Sequence, residues 1–242
     1  MRRVSRLLGN SPLSGGTRLL RIGEVDVPLE TIRPGHWFHL ELGEQVFALP
    51  VLDCSPRENW IAFQLGAQYA SWAATAATGS ACRLSGPMGQ AAPPACAGHR
   101  ILLAADSTGL PALLFAARIG LPIHLALIGL TENEPAPVRL RPSRFLVRGL
   151  PAEAIAGIAV LENAGIPSRV CCQDPLPGCH QGDVAAMLSA YLAERSARWR
   201  WETTIQVYGE SRTIAALERL ELRAGRVQAI TLPRTTDTAA TD

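Results

Sequence analysis

Three short segments of the sequence contain glycine with polar or acidic residues, and each stands between a predicted strand and a predicted helix. They are Asp106–Pro111, Pro177–Gly182 and Tyr208–Ser211. Their glycines allow the backbone to approach a ligand closely, and the helices predicted to follow offer free N–H groups and a positive dipole end to a phosphate. The segments therefore predict a nucleotide site, although none contains the Gly-x-Gly-x-x-Gly spacing of a standard dinucleotide-binding loop.

Each segment also has an ordinary explanation, which the residues alone leave open. Ser107 or Thr108 suits a helix N-cap, and Pro111 is common in a first helical turn. Gly178 suits a tight turn, and Glu210 favours the positive end of the helix that it precedes. The chemistry of these residues therefore depends on what the fold brings next to them.

The six cysteines predict neither a metal site nor a nucleophile. Cys171, Cys172 and Cys179 have a spacing that matches no zinc or iron–sulfur motif. The adjacent side chains of Cys179 and His180 are not expected to face each other, which disfavours a thiol nucleophile. We therefore expect reduced thiols and no bound metal.

The composition of the chain bears on whether it binds nucleic acid, spans a membrane or is secreted. The chain has 242 residues, of which 48% are hydrophobic, enough for one large domain or two smaller ones. All 23 basic residues are arginine, which excludes lysine chemistry, and a net charge of +2 is too small to indicate a nucleic acid partner. No apolar run reaches the ~20 residues of a membrane span, and none of signal-peptide length follows the basic start Met1–Leu8. We therefore expect a cytoplasmic protein.

The elements that must position these segments fall into two groups. In residues 1–97, short runs of β-favouring residues between Gly, Pro and Asn predict a small antiparallel β-barrel, interrupted by one helix at Tyr69–Ala77. Its predicted strands are Thr17–Val25, His36–Leu42, Gln45–Leu52, Trp60–Leu65 and Ala81–Gly86. The small, Pro-rich run Gln90–Gly98 is the predicted linker.

In residues 98–234, strands alternate with helices, which predicts a doubly wound parallel sheet of the nucleotide-binding type. The predicted strands are Ile101–Ala105, Pro122–Leu130, Phe145–Val147, Arg169–Cys172, Thr203–Tyr208 and Gly225–Leu232. The predicted helices are Ala112–Ile119, Ala152–Ala164, Asp183–Glu194 and Ser211–Arg223. The Thr- and Ala-rich tail Thr235–Asp242 is predicted to be disordered.

This order of segments behind a barrel resembles the ferredoxin–NADP reductase-like flavoprotein superfamily. Pro34–Leu40 looks like the family's Pro-Gly-Gln/His barrel strand, and Leu84–Gly89 looks like its Gly-Pro-Leu/Met-Gly segment, which closes the flavin barrel. Leu102–Pro111 is similar to the strand and loop that receive the nicotinamide nucleotide. Tyr208-Gly209-Glu210 stands where the family often has Cys-Gly.

Two branches of this superfamily share further motifs with the chain. Arg141–Phe145, Ile155–Arg169 and Pro177–Gly182 resemble the branch that is similar to dihydroorotate dehydrogenase electron-transfer subunits. Tyr69–Ala73 and Ala105–Pro111 resemble the siderophore-interacting ferric reductases. The motifs do not decide between the two branches.

The resemblance implies FAD between barrel and sheet, NAD(P)H on the sheet, and electron transfer through the flavin to a protein redox partner or a small acceptor. The implied FAD contacts are Pro50, Val51, Leu52, Gly66, Ser71 and Gly86. The implied NAD(P)H contacts are Asp106, Ser107, Thr108, Gly109, Pro111, Gly178, Cys179, Gly209 and Glu210. Acidic residues in Thr131–Glu134 would bond a ribose diol, whereas the nearby arginines would accept a 2′-phosphate. The catalytic residues stay unassigned.

The chain departs from the family at the flavin motif, which is Arg-x-Tyr-Ser/Thr or Arg-Pro-Phe/Tyr-Ser. The corresponding residues here are Leu49-Pro50-Val51-Leu52, followed by Asp53. Loss of an arginine–phosphate pair costs roughly 1.5–3 kcal/mol, and Asp53 would repel a phosphate. Tyr208 also replaces the family's cysteine, and no cysteine follows Cys179 to bind an iron–sulfur cluster. Two hypotheses remain: a flavin-dependent reductase, or a non-catalytic binding or scaffold protein with the same fold.

Overall fold

The computed structural model describes residues 4–94, 97–130, 136–219 and 226–234. The acidic segment Thr131–Glu134 and the tail Thr235–Asp242 therefore lie outside the described residues. Within these ranges, no helix is both long and apolar enough to cross a bilayer.

The first half of the chain is a closed barrel of six antiparallel strands in the order β1-β2-β5-β4-β3-β6. Their bounds are β1 Ser5–Pro12, β2 Arg18–Gly23, β3 Trp37–Leu42, β4 Gln45–Ser55, β5 Trp60–Leu65 and β6 Ala81–Met88. The short helix α1, Ala70–Thr75, lies between β5 and β6. The predicted barrel is confirmed, with β1 as an added strand that the sequence analysis missed. Its Arg, Asn, Ser and Gly residues are poor strand formers, and pairing with β2 stabilises it.

The second half contains a six-stranded parallel sheet in the order β12-β11-β8-β7-β13-β14. The strands are β7 Arg100–Ala105, β8 Ile123–Leu130, β11 Ser168–Cys172, β12 His180–Gln181, β13 Thr203–Gly209 and β14 Arg226–Thr231. The helices connecting them are α2 Leu110–Arg118, α4 Val184–Ala193, α5 Ala197–Trp201 and α6 Ser211–Glu218. The predicted doubly wound sheet is confirmed. Its strand order reverses between β7 and β13, and such a switch point is where open α/β sheets bind ligands.

The segment between β8 and β11 differs from the prediction. Phe145–Val147 is not a strand, and most of the predicted helix Ala152–Ala164 is not helical. Instead, β9, Leu140–Pro142, pairs antiparallel with β10, Ala156–Ile158, and only α3, Ala159–Asn163, is helical. The local helix propensity is overridden by tertiary contacts.

Glu162 explains much of this local arrangement. Its carboxylate is fully buried and accepts hydrogen bonds from Ser143 Oγ at 3.0 Å, from the Arg144 N–H at 3.2 Å and from the Ser168 N–H at 3.1 Å. A Cβ at Gly157 would lie 2.6 Å from Glu162 Oε1. Gly157 therefore allows β10 to pass directly over this carboxylate, which a helix through the same residues would not do.

The barrel and the sheet are joined by helix α2, which packs against β4. Phe115 of α2 is buried in the barrel core beside Leu49 and Val51, whereas Leu52 of β4 belongs to the core of the α/β half. An ion pair joins Arg118 to Asp53 at the rim of this contact. Strand β4 therefore contributes to both cores.

Replacing Phe115 with alanine should destabilise the whole chain, because the ring supports the barrel from the other half. We expect the free energy of unfolding to fall by about 3–5 kcal/mol, measured by urea denaturation. Ile119→Ala is the matched control, since Ile119 follows the same helix and is 47% exposed. A change in Phe115→Ala no larger than in the control would contradict this account of the interface.

Candidate nucleotide site

The loops that follow β7 and β13 meet at the switch point, and the carboxylate of Asp106 joins them. Its Oδ1 accepts the N–H of Gly109 at 2.9 Å. Its Oδ2 accepts the N–H of Glu210 at 2.9 Å and the hydroxyl of Thr213 at 2.6 Å. Gly109 is the N-cap of α2 and Glu210 is the N-cap of α6, so one side chain satisfies donors at the start of both helices.

The glycines of these loops are required by the contact between the loops themselves. A Cβ at Gly109 would lie 1.9 Å from the carbonyl oxygen of Tyr208. A Cβ at Gly209 would lie 2.5 Å from Oδ2 of Asp106. The glycines that were predicted to allow a ligand to approach the backbone therefore allow the loop after β7 and the loop after β13 to contact each other.

Glu210 holds a second group of polar side chains at the same edge. Its carboxylate accepts the Thr108 hydroxyl at 3.0 Å and pairs with Arg212 Nε at 3.2 Å and Arg234 Nε at 2.8 Å. The Glu210 side chain is largely buried, whereas both guanidinium groups are more than half exposed. Arg212 and Arg234 are thus positioned cations within reach of solvent.

A cavity of about 350 Å³ lies at the carboxyl edge of the sheet, between the first turns of α4 and α6. Its polar lining includes Asp106, Gln173, Asp183, Arg212 and Thr213. Its floor is formed by the end of β8, including Gly129 and Leu130. The lining thus combines one cation, an amide, a hydroxyl and two carboxylates with an apolar floor, and a few polar groups on an apolar surface are typical of a small-ligand site.

A second, more open groove of about 450 Å³ lies between the barrel and the end of the sheet. Trp37 of β3 forms its barrel side, and Glu210, Leu232 and Arg234 form part of the opposite side. Arg212 borders both the groove and the cavity between α4 and α6. The two spaces therefore flank the Asp106–Glu210 contact.

The predicted segment Pro177–Gly182 mostly faces away from the switch point. The carbonyl of Gly178 accepts the N–H groups of Ile155 at 2.9 Å and Ala156 at 2.6 Å. His180 Nδ1 lies 2.7 Å from Glu153 Oε1. Gly178 and Cys179 therefore lie beside strand β10, which pairs with β9. Of this segment, only Gly182 borders the cavity.

Strand β4 does not fit FAD. Leu49 and Val51, at the positions of the family's arginine and aromatic residue, are fully buried in the barrel core. Leu52 and Pro50 are buried as well, and Asp53 is paired with Arg118. The strand therefore offers a flavin neither a phosphate-binding cation nor a stacking ring.

The other positions implied for FAD have structural surroundings of their own. Gly66 precedes the turn that leads into α1, and Ser71 is exposed on that six-residue helix. Gly86 has a φ of 153°, and a Cβ there would lie 2.6 Å from Cδ1 of Phe38. The close packing against Phe38 inside the barrel thus accounts for a glycine at position 86.

Tyr208 fills the position of the family's cysteine with a buried ring. Its hydroxyl donates to Gln206 Oε1 at 2.9 Å, and Gln206 Nε2 donates to Gln228 Oε1 at 2.9 Å. The ring lies in the same core as Leu52 and Leu232, and burial raises the pKa of Tyr208. The phenol is therefore a neutral structural group that helps to close the space between barrel and sheet.

Comparisons with known proteins agree with this architecture. No protein-family model matches the sequence, and no curated protein matches it. Among solved structures, the Amycolatopsis cytochrome P450 reductase GcoB is similar over 96% of this chain and 70% of its own, with 17% identity and a TM-score of 0.67. The ferredoxin reductase in carbazole 1,9a-dioxygenase is similar over 94% of this chain and 68% of its own, with 16% identity and a TM-score of 0.67. The cytochrome b5 reductase domain of Ulva prolifera nitrate reductase is similar over 94% of this chain and 97% of its own, with 15% identity and a TM-score of 0.61.

The chain has the two-domain fold of the ferredoxin–NADP reductase-like flavoproteins. At identities of 17% or less, this likeness concerns the fold and leaves the branch a prediction. Within the reductase fold, Asp106, Thr108, Gly109, Gly209 and Glu210 come together, as the strand ends predicted. The sequence analysis missed a further set of residues at this edge, namely Gly129, Leu130, Gln173, Asp183, Arg212, Thr213 and Arg234. Arg212 and Thr213 directly follow the predicted Glu210–Ser211, which is the one signal that pointed to them.

Four thiols of the folded chain, those of Cys54, Cys82, Cys171 and Cys179, should react slowly, because burial raises their pKa values. The pKa is about 11 for Cys54, Cys82 and Cys179, and that of Cys171 is raised further. A shift from 9 to 11 lowers the thiolate fraction at pH 8 about 100-fold. An aromatic disulfide reagent should therefore react about tenfold faster per pH unit between pH 7 and 10, with urea-unfolded protein as the fast control. Rapid reaction of any of these four thiols at pH 8, located by peptide mapping, would contradict this prediction.

Proposed function

We propose that this chain is a nucleotide-binding protein that retains the reductase fold, takes its ligand in the cavity between α4 and α6, and holds no flavin on β4. The observation that carries the proposal is the burial of Leu49 and Val51 in one core and of Leu52 in the other. These side chains take the place of the groups that would bind FAD. The polar cavity at the switch point is a separate space and does not depend on β4.

The lining of the cavity contains one cation for a phosphorylated ligand, and both of its carboxylates, Asp106 and Asp183, accept backbone N–H groups of the chain. Arg212 provides the cation, and it is held at the rim by Glu210. A guanidinium binds a phosphate through charge-assisted hydrogen bonds. Gln173 and Thr213 provide an amide and a hydroxyl for a ribose, and Gly129 and Leu130 form an apolar surface against which a base could pack.

A protein redox partner is the second part of the proposal. Two similar proteins are, by their names, a cytochrome P450 reductase and a ferredoxin reductase in a dioxygenase. The groove between Trp37 and Arg234 presents an aromatic ring and a cation, residue types that are enriched where proteins bind one another. The chain would then act by docking to a redox protein through this groove.

The second candidate function is an FAD-dependent NAD(P)H oxidoreductase that passes electrons through the flavin to a partner or a small acceptor. The reductase fold favours it, and so does the position of Trp37, which pairs with Pro50 across β3 and β4 and lines the open groove. The flavin would supply the redox chemistry. Because the residues of β4 do not fit FAD, this candidate requires a flavin bound in another manner.

A visible spectrum separates the two candidates. The purified chain should lack flavin absorbance, and an excess of FAD should neither bind during gel filtration nor produce a spectrum that NADH or NADPH bleaches. Bound FAD that is bleached by either nucleotide would establish the reductase instead.

Nucleotide binding is tested by calorimetry with AMP and an arginine variant. Arg212→Ala should weaken binding roughly tenfold to 100-fold, because one charge-assisted phosphate contact is lost. Arg57→Ala is the matched control, since Arg57 lies in an exposed turn of the barrel. The cavity is the wrong site if AMP binds both variants equally, and the proposal fails if AMP does not bind the native chain.

A further inference from the structure

Two surface segments at the amino edge of the parallel sheet carry a concentrated positive charge. Segments 143–150 and 192–202 together form what we term the amino-edge patch, at the opposite end of the sheet from the cavity between α4 and α6. The patch contains five arginines and two glutamates, so its net charge is larger than the +2 of the whole chain. The arginines are Arg144, Arg148, Arg195, Arg198 and Arg200.

Arg195 joins the two segments of the patch. Its guanidinium donates to the carbonyl oxygen of Arg148, and its central carbon lies 5.5 Å from the centroid of the Trp199 ring. A Cβ at Gly149 would lie 2.9 Å from Cβ of Glu194, so the segments also pack closely against each other. The patch is therefore one continuous surface.

The charge of this surface is only partly neutralised by the chain itself. Glu202 pairs with Arg198 Nε at 2.8 Å and with an arginine at the start of β7 at 3.2 Å. Within the part of the chain that the structure describes, no carboxylate pairs with Arg148, Arg195 or Arg200. Arg195 and Arg200 instead donate to backbone carbonyl oxygens, and the Nε of each is buried without a hydrogen-bond partner. These guanidinium groups are thus held in place and keep their charge.

Two large apolar side chains are exposed on the same surface. Leu146 is 88% exposed and lies between Arg144 and Arg148 in the sequence, and Trp201 is 71% exposed and follows Arg200. Other apolar residues of both segments are partly buried against the core of the sheet. A partner that covers Leu146 and Trp201 would remove their apolar area from water, which is favourable.

We propose that the amino-edge patch binds the surface of an anionic lipid membrane and so attaches the chain to it peripherally. Arginines are attracted to anionic headgroups, whereas tryptophan and leucine enter the layer between the headgroups and the hydrocarbon. The proposal is independent of the nucleotide site. The cavity lies at the carboxyl edge of the sheet, so it would face away from the lipid and stay accessible.

The distribution of the side chains favours a lipid surface over an acidic protein. Interfaces between proteins concentrate apolar residues in the centre and polar residues at the rim. In the patch, Leu146 and Trp201 lie on different segments, and each has arginine neighbours in the sequence. Such an arrangement suits a fluid lipid surface, because lipids can surround each apolar side chain without a matching pocket.

Co-sedimentation with lipid vesicles tests the proposal. The native chain should pellet with vesicles made from equal amounts of phosphatidylcholine and phosphatidylserine, and it should stay in the supernatant with vesicles of phosphatidylcholine alone. High salt should release it, because salt screens the attraction between exposed charges. A chain that binds neither kind of vesicle, or both equally, overturns the proposal.

Two variants locate the binding surface. Leu146→Ser should weaken binding to the mixed vesicles roughly tenfold, because an apolar side chain is lost from the interface. Arg148→Ala should weaken it about fivefold, the contribution of one basic residue near an anionic surface. Leu13→Ser and Arg57→Ala are the matched controls, since both residues are exposed on the barrel, and they should bind like the native chain. An equal loss in the patch and control variants would show non-specific adsorption and overturn the proposal.

Polyglutamate is the probe for an acidic protein. If the native chain binds polyglutamate and neither kind of vesicle, and Arg148→Ala abolishes that binding, the patch serves an acidic protein and the lipid proposal is wrong. If circular dichroism shows that Leu146→Ser does not fold, Trp201→Ser is measured in its place, and unchanged vesicle binding in that variant contradicts the proposal. AMP binding should be the same in Leu146→Ser as in the native chain, so the nucleotide site is tested separately.

Discussion

The carboxylate of Asp106 is the constraint on which this edge of the molecule depends. It joins the ends of two strands that are far apart in sequence, and it satisfies donors at the start of α2 and α6. Hydrogen bonds to a charged group contribute about 1.5–3 kcal/mol each. The requirement for Gly109 and Gly209 follows from this contact, because the two loops leave no room for a Cβ.

A comparable replacement occurs where the barrel meets the sheet. Strand β4 alternates between the two cores, with Leu49 and Val51 on the barrel side and Leu52 on the other. Phe115 and the Arg118–Asp53 pair complete the contact from α2. The strand that holds FAD in the resembled family is here a packing surface between two halves of one chain. At this contact the fold is stabilised by apolar side chains of the chain itself.

Much of this architecture was predictable because it follows from local patterns. Alternating β-favouring runs gave the barrel strands, and alternating strands and helices gave the parallel sheet, whose strand ends then had to meet. The segment from Phe145 to Ala164 was mispredicted because Glu162 organises it through hydrogen bonds with Ser143 and Ser168, which lie outside the segment. Gly178 and Cys179 stay predicted nucleotide contacts, and the backbone contact of Gly178 with Ala156 is not visible in the sequence.

A glycine-rich loop before a helix indicates close approach of the backbone, and it does not say what approaches. In this chain the deciding residue is the acid directly after β7, because a carboxylate and a phosphate compete for the same donors. Asp106 therefore turns a loop that is shaped like a phosphate-binding loop into a link between two strands. A sequence motif with an acid in that position therefore indicates first a structural contact between two loops.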